Sequence, residues 1–159
     1  MSKGKKEQPD TGPVIQNKKA WHNYEIVEKV EAGLSLLGTE VKSLRDKLCE
    51  LDGAYARILN DECWLVGCKI SPYERGGYVN HEPLRKRKLL LHKAQIRKIR
   101  TKLEQRGYTL VPMKIYFNSR GLAKCQLGLA RGKKQFDKRH TMQDKQQKKD
   151  LARTMKNLR

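Results

Sequence analysis

The chain has 159 residues, about one domain's worth, and its 36 Lys+Arg against 17 Asp+Glu give a formal net charge of +19. Self-repulsion at that charge is tolerated where a polyanion is the partner, which puts nucleic acid first. Hydrophobic residues make up 37% of the chain, enough for a core and too many for a wholly disordered basic polypeptide; no apolar run approaches the roughly 18 residues of a membrane span.

The start, MSKGKKEQPD, lacks the apolar stretch of a secretory leader, so the expected location is the cytoplasm. Residues 1–16 are polar and aperiodic and read as a flexible N-terminal arm. From Trp21 to Glu31 the alternation of Tyr24, Ile26, Glu28 and Val30 predicts a strand ended by Gly33. Thr39 then stands as an N-cap before Val41, Leu44 and Leu48 at helical spacing. The runs AYARILN and ECWLVGCKI, joined at Asn60-Asp61, predict a hairpin. SPYERGGY is a loop, with Gly76-Gly77 as its flexible point.

From Leu89 the positions Leu89, His92, Ile96, Ile99 and Leu103 step by three and four residues and predict an amphipathic helix with Gly107 as its C-cap. YTLVPMKIYF and LAKCQLGLA, separated by NSRG, predict a second hairpin in which Pro112 marks an edge or a bulge. The order β, α, β, β, α, β, β suits a mainly β, partly open barrel of OB type with short intercalated helices over 17–130. Beyond it, residues 131–159 hold eleven Lys/Arg and one aromatic residue, Phe136. This tail cannot bury enough to offset its chain entropy and is expected to be disordered when free. Leu151, Met155 and Leu158 form a latent helical stripe that a partner could order.

Chemistry-bearing motifs are few. Cys49, Cys63, Cys68 and Cys125 form no CxxC pair, and the Cys63/Cys68 spacing suits a strand with half-buried thiols better than a metal knuckle, so no metal and no cofactor is expected. Glu28, Glu31 and His22 could be imagined as a nuclease's acid and base, but strand glutamates in a basic protein more often form ion pairs. The basic features say more. Ten Lys/Arg lie between Arg85 and Arg106 with one acid, Glu104, and a solvated face would normally mix signs, so phosphate contact is favoured. The segment from Asn17 to Tyr24 interleaves Lys18 and Lys19 with Trp21, His22 and Tyr24, rings that either stack on looped RNA or pack in the core. An RNA-binding module of some kind follows, and composition alone also suits a ribosome-associated assembly factor.

Five segments, NKKAWHNYEI, EAGLSLLGTEVKSLR, PLRKRKLLLHKAQI, GYTLVPMKIYF and LARGKKQFDKR, resemble in order and spacing the SmpB family of SsrA-binding proteins, from about Asn17 to the C-terminus. The resemblance implies a non-catalytic bacterial protein with an OB barrel. It would bind the tRNA-like domain of transfer-messenger RNA (tmRNA) and accompany it, with elongation factor Tu, to ribosomes stalled on messages without a stop codon. The tail would become helical in the empty mRNA channel and decoding site. Carried over by position, the RNA-binding candidates are Asn17, Lys18, Lys19, His22, Glu31 and Leu91; Tyr24, Arg45, His92, Lys93 and Lys124 complete the set. A carboxylate at Glu31 can accept from guanine N1–H and N2–H₂, against the alternative of an ion pair with a neighbouring base, and Leu91 leans towards packing. Gly132, Lys133, Lys134, Phe136, Asp137, Lys138, Arg139 and Met155 fall on the ribosome-engaging tail. Phe136 stands where enterobacterial relatives have His, and Thr154 where an aliphatic residue is familiar.

Overall fold

The computed structural model describes residues 12–105 and 107–157, save the side chains of 135–137 and 157. Most of the expected arm, residues 1–11, lies outside that range, but its end is not loose: Ile15–Gln16 (β1) pairs with Ile115 and Lys114. The next segment departs from expectation too. Lys18–Asn23 is a short helix (α1), and the strand starts only at Tyr24, running to Leu34 (β2). Alternation in Tyr24–Leu34 is a true strand pattern; upstream of it, Asn17 starts a helix by accepting from Ala20 N–H at 3.1 Å.

Gly38–Arg45 forms α2. Its cap, Leu37, lies two residues before Thr39: Leu37 N–H donates to Glu40 at 2.8 Å, and Thr39 Oγ1 turns instead to His81 Nδ1 at 2.9 Å. Leu48 falls outside the helix, in the approach to the short strand Cys49–Glu50 (β3), which pairs with Lys69–Ile70 (β6). The expected hairpin is present as Tyr55–Leu59 (β4) and Glu62–Val66 (β5). Asn60 and Asp61, at φ 50° and 60°, have the two left-handed residues of a type I′ turn.

Arg87–Leu90 (β7) is a strand, so the helix expected from Leu89 begins later, at Lys93, and ends at Leu103 (α3). Leu89 sits in the helical 3,4 pattern by coincidence: it faces the barrel interior from a strand paired with Cys63 and Leu34. His92 is the N-cap and Glu104 the C-cap, leaving Gly107 beyond the helix at φ 85°. Tyr108–Phe117 (β8) and Ala123–Gly132 (β9) form the second hairpin. The register slips between Pro112 and Lys114, the bulge that the proline foretold. The carbonyls at that bulge are taken up by Asn17, whose backbone N–H donates to Met113 O at 2.8 Å and whose Nδ2 donates to Pro112 O at 3.0 Å.

The strands run in the order β1-β8-β4-β5-β7-β2-β9, and β8 pairs again with β9, closing the sheet. Closure between β4 and β8 rests on one paired position, Ala56 with Leu110, so the barrel is partly open on that side. Leu44, Leu65, Ile70, Leu89, Leu110, Ile115 and Leu127 fill its interior. A second cluster, Ala20, Val111, Met113 and Ala130, lies between α1 and the outer face of β8 and β9. Met113 passes so close to Gly128 that an added Cβ would meet its sulfur at 3.0 Å.

A charged group is sealed beside the core. Glu40 is fully buried and accepts from Arg87 Nε at 2.9 Å and Arg85 Nη2 at 2.7 Å, while Arg87, also fully buried, donates to the carbonyls of Cys68, Arg85 and Pro83. Burial alone would raise the Glu40 carboxyl, but the Arg85 hydrogen bond, the Leu37 N–H and the two guanidinium charges hold it below its ordinary value. Cys63 and Cys68, expected half-buried, are both buried. β9 continues through Arg131 and Gly132, so the division expected after residue 130 falls inside a strand. The tail, expected to lack structure, is helical over Gln135–Asn157 (α4). That segment has neither Pro nor Gly and is rich in Gln, Lys, Arg and Met, all good helix formers, which the disorder argument from low hydrophobicity overlooked.

Candidate nucleic-acid interface

β2 and β7 meet at Gly33–Leu90, and only Leu91 and His92 separate β7 from α3. The short connection holds α3 beside the β2 edge and leaves a groove of about 880 Å³ between them. Glu31, Leu91, His92, Lys93 and Lys124 all line this groove. They come from three separate elements; Lys124 is placed by the pairing of β9 with Gly33 of β2.

Glu31 is exposed, and its partner is neither a base nor a cation: Tyr116 Oη donates to its Oε2. One oxygen is thereby oriented while further lone pairs stay open to a donor in the groove. The Lys114 ammonium lies 4.7 Å from the Tyr116 ring centroid, so the pair sits in a positive surround. Leu91 is half-buried against the main core and also lines the groove, so it packs and presents a surface at once.

The basic face expected between Arg85 and Arg106 is more selective than the sequence implies. Glu40 takes Arg85 and Arg87; Glu62 pairs with Lys88 at 2.5 Å, Glu28 with Lys98 at 2.7 Å, and Asp61 with Arg100. Arg106 lies outside the described residues. The missing acids come from other elements, where local charge counting does not look. Among the described residues Lys93, Lys102 and Lys124 make no ion pair, and all three line the groove. Lysines without carboxylate partners are the ones left to neutralise phosphate.

The α1 candidates lie apart. Asn17 is buried, and beyond its cap it donates to Leu51 O at 3.2 Å as well as to Pro112 O. Its amide is satisfied within the protein, which makes Asn17 an anchor of α1. Lys18 is exposed, Lys19 pairs with Asp52, and His22 is half-buried. Tyr24 packs against the cluster beneath α1, whereas Trp21 is exposed with the Lys29 ammonium 4.8 Å from its ring. Lys29 also lines the groove, linking it to the α1 surface. Arg45 lies elsewhere, at the end of α2, its guanidinium 4.7 Å from the ring of Phe117 beside the β8–β9 turn.

Sequence reasoning missed Tyr116, Lys114 and Lys29, and reached Lys102 only as one of the Arg85 to Arg106 cations. A signal for the first two exists: Lys114 and Tyr116 share one side of a strand otherwise almost wholly apolar, and a lysine there needs an outward face.

The tail leaves β9 next to α1. Gly132 still pairs with Tyr24, and Lys133 donates twice to the end of α1, from its backbone N–H to Asn23 O at 3.0 Å and from Nζ to Trp21 O at 3.2 Å. Lys134 and Arg139 are exposed, Lys138 is half-buried, and Met155 is exposed. Phe136 and Asp137 lie in the first turn of α4, and their side chains fall outside the description. No helix of the described residues is long and apolar enough to cross a membrane.

A partly open basic barrel with a lysine-lined groove and a cationic helical extension defines a nucleic-acid-binding class. The family model described as SmpB protein matches residues 14–157. The chain is 53% identical over 147 residues to the SsrA-binding protein of Bacillus cytotoxicus, covering 92% of this chain and 94% of that one. It is 56% identical over 127 residues to the SsrA-binding protein of Thermus thermophilus, covering 80% and 88%. A solved structure described as "tmRNA-SmpB: a journey to the center of the bacterial ribosome" is similar at a TM-score of 0.67 and 56% identity, covering 78% of this chain and 87% of that one. The chain belongs to the SmpB family.

Proposed function

We propose that this protein binds the tRNA-like domain of tmRNA and delivers it, with elongation factor Tu, to ribosomes stalled without a stop codon. The observation that carries the reading is the convergence of Glu31, Leu91, His92, Lys93 and Lys124 on one groove. Lys93, Lys102 and Lys124 neutralise phosphates, Glu31 accepts from a guanine edge, and the exposed ring of Trp21 with Lys18 extends the contact over α1. The role is one of binding, without catalysis, in the cytoplasm.

Residues 131–159 act on the ribosome. Among the described side chains of α4 the large apolar ones, Met142, Leu151 and Met155, are exposed, so the helix draws little from packing and is held in the mRNA channel, where its lysines and arginines face rRNA phosphate. RNA recovered with the protein from a bacterial lysate tests the reading: one structured species of tRNA-like mobility is expected, and recovery of broad rRNA alone overturns it.

A further inference from the structure

The groove and the tail leave the four cysteines unused. All are free thiols; Cys63, Cys68 and Cys125 are buried, while Cys49 is half-buried. Cys49 lies in β3 opposite Ile70 of β6, so Cys68, two residues earlier on that side of the ladder, is its diagonal neighbour. Gly67, at φ 75°, makes the bend that brings Cys68 across. The two sulfurs are 3.6 Å apart. Closing to the roughly 2.05 Å of a disulfide asks for a movement of about 1.5 Å, and each strand here is only two residues long. The Cys68 backbone is held by Arg87 Nη1, which donates to its carbonyl at 2.7 Å, leaving Cys49 as the mobile partner.

We propose that Cys49 and Cys68 are a modification site, a dithiol that peroxide converts to an intramolecular disulfide. Cys49, the thiol that solvent reaches, reduces the peroxide: its sulfur takes one oxygen to become a sulfenic acid, and the other leaves as water. The Cys68 thiolate then attacks the Cys49 sulfur; the S–S bond forms as the S–O bond breaks, and the departing hydroxide takes a proton to give a second water. Two thiols lose two electrons, and one peroxide is reduced to two waters. The hydrogen bond between the sulfurs pushes Cys49 up and draws Cys68 below its ordinary value, with the Arg87 guanidinium acting on Cys68 in the same sense. Cys68 is thus the readier thiolate: across the 3.6 Å contact it takes the Cys49 proton as that sulfur attacks the peroxide, passes it to the departing hydroxide, and is a thiolate again for the resolving step. Cys63 and Cys125 expose no surface to peroxide, and burial pushes Cys63 up to about 11 and Cys125 also upward, so both stay inert.

The test treats the reduced full-length protein with hydrogen peroxide, blocks remaining thiols under denaturing conditions, and reads intact mass and the linked peptides. The expected product is lighter by two hydrogens, keeps two of its four alkylatable thiols, joins the peptides of Cys49 and Cys68, and returns to four thiols with dithiothreitol. Cys49→Ser should keep its three thiols at the same dose. Cys68→Ser should carry Cys49 to a dimedone-trapped sulfenic acid without an internal link. Four surviving thiols in the wild type, over-oxidation of Cys49 with Cys68 untouched, or a first link through Cys63 or Cys125 would each overturn the proposal.

Discussion

Glu40→Gln should unfold the protein more readily than any other single change of charge. Its carboxylate receives Leu37 N–H, two donors from Arg85 and one from Arg87, and neither Glu40 nor Arg87 exposes any side-chain surface. Removing one partner of a buried pair costs about 3–5 kcal/mol because the other charge stays behind without compensation. Three backbone carbonyls still hold the Arg87 guanidinium, and Arg85 is about one-third exposed, so the lower end applies. A loss of about 3 kcal/mol in a chain of this size corresponds to a fall of roughly 6–12 °C in Tm. Urea unfolding at neutral pH, with the m-value unchanged, measures it. The pH dependence gives a second check. Because the folded-state pKa is depressed, the ionised carboxylate's stabilisation is present in full above its ordinary value of 4.5 and is lost as pH falls through the lower folded value. The gap between wild type and variant should therefore be constant at neutral pH and shrink on acidification. A variant within 1 kcal/mol of wild type at pH 7, or a gap that does not shrink in acid, would refute the reasoning.

Asn17→Ala should destabilise the fold by about 1–3 kcal/mol, since it removes the α1 cap and strips the bulge carbonyl of its donor; a variant that melts like wild type yet fails to bind RNA would make Asn17 a direct contact after all. Glu31→Gln and Tyr116→Phe should each weaken binding of a tRNA-like RNA by on the order of 1–3 kcal/mol, and the double variant should lose less than the sum, because the hydroxyl acts through the carboxylate. Strict additivity would separate the two. Replacing Lys93 and Lys124 by Ala should reduce the slope of log K against log salt by roughly 1.4–1.8, and an unchanged slope removes the groove from the interface. Truncation after Gly132 should leave RNA binding largely intact while abolishing peptide tagging on stalled ribosomes; tagging by the truncated protein would end the proposed role of the tail.

The elements legible in the sequence are those whose signal is local. The Asn60-Asp61 turn, the β8–β9 hairpin about NSRG and the Pro112 bulge each follow from a few adjacent residues. The misreadings share one cause. Leu89 fits a 3,4 helical step and belongs to a strand because Cys63 and Leu34, 26 and 55 residues away, pair with it. Trp21 and His22 fit strand alternation and belong to a helix because Asn17 is needed at a bulge near residue 113. The charge reading of Arg85 to Arg106 was likewise local: Glu28, Glu40, Asp61 and Glu62, from elsewhere in the chain, select which cations remain available. Glu31 shows the limit of pairing logic, since its partner is a phenol 85 residues on.

The placement of Lys133 bears on how one chain serves two sites. By family position it belongs to the tail, yet both of its hydrogen bonds go to carbonyls at the end of α1. Those carbonyls have no helical donor, so Lys133 is doing for α1 what a C-cap does, and its charge suits the negative end of the helix. The same α1 is anchored at its start by Asn17 and carries Lys18 and Trp21 on its surface. An RNA that draws on Trp21 or Lys18 therefore acts on the element that fixes the departure of the tail, within two residues of the start of α4. The body and the extension are joined by a short capped junction in which the orientation of one is stated to the other through two hydrogen bonds. A long flexible linker would have left the tail free to search at random. Here the exposed α1 surface and the first turn of α4 are held by the same six-residue helix, so under the proposed function loading RNA on α1 and directing the tail are physically one arrangement.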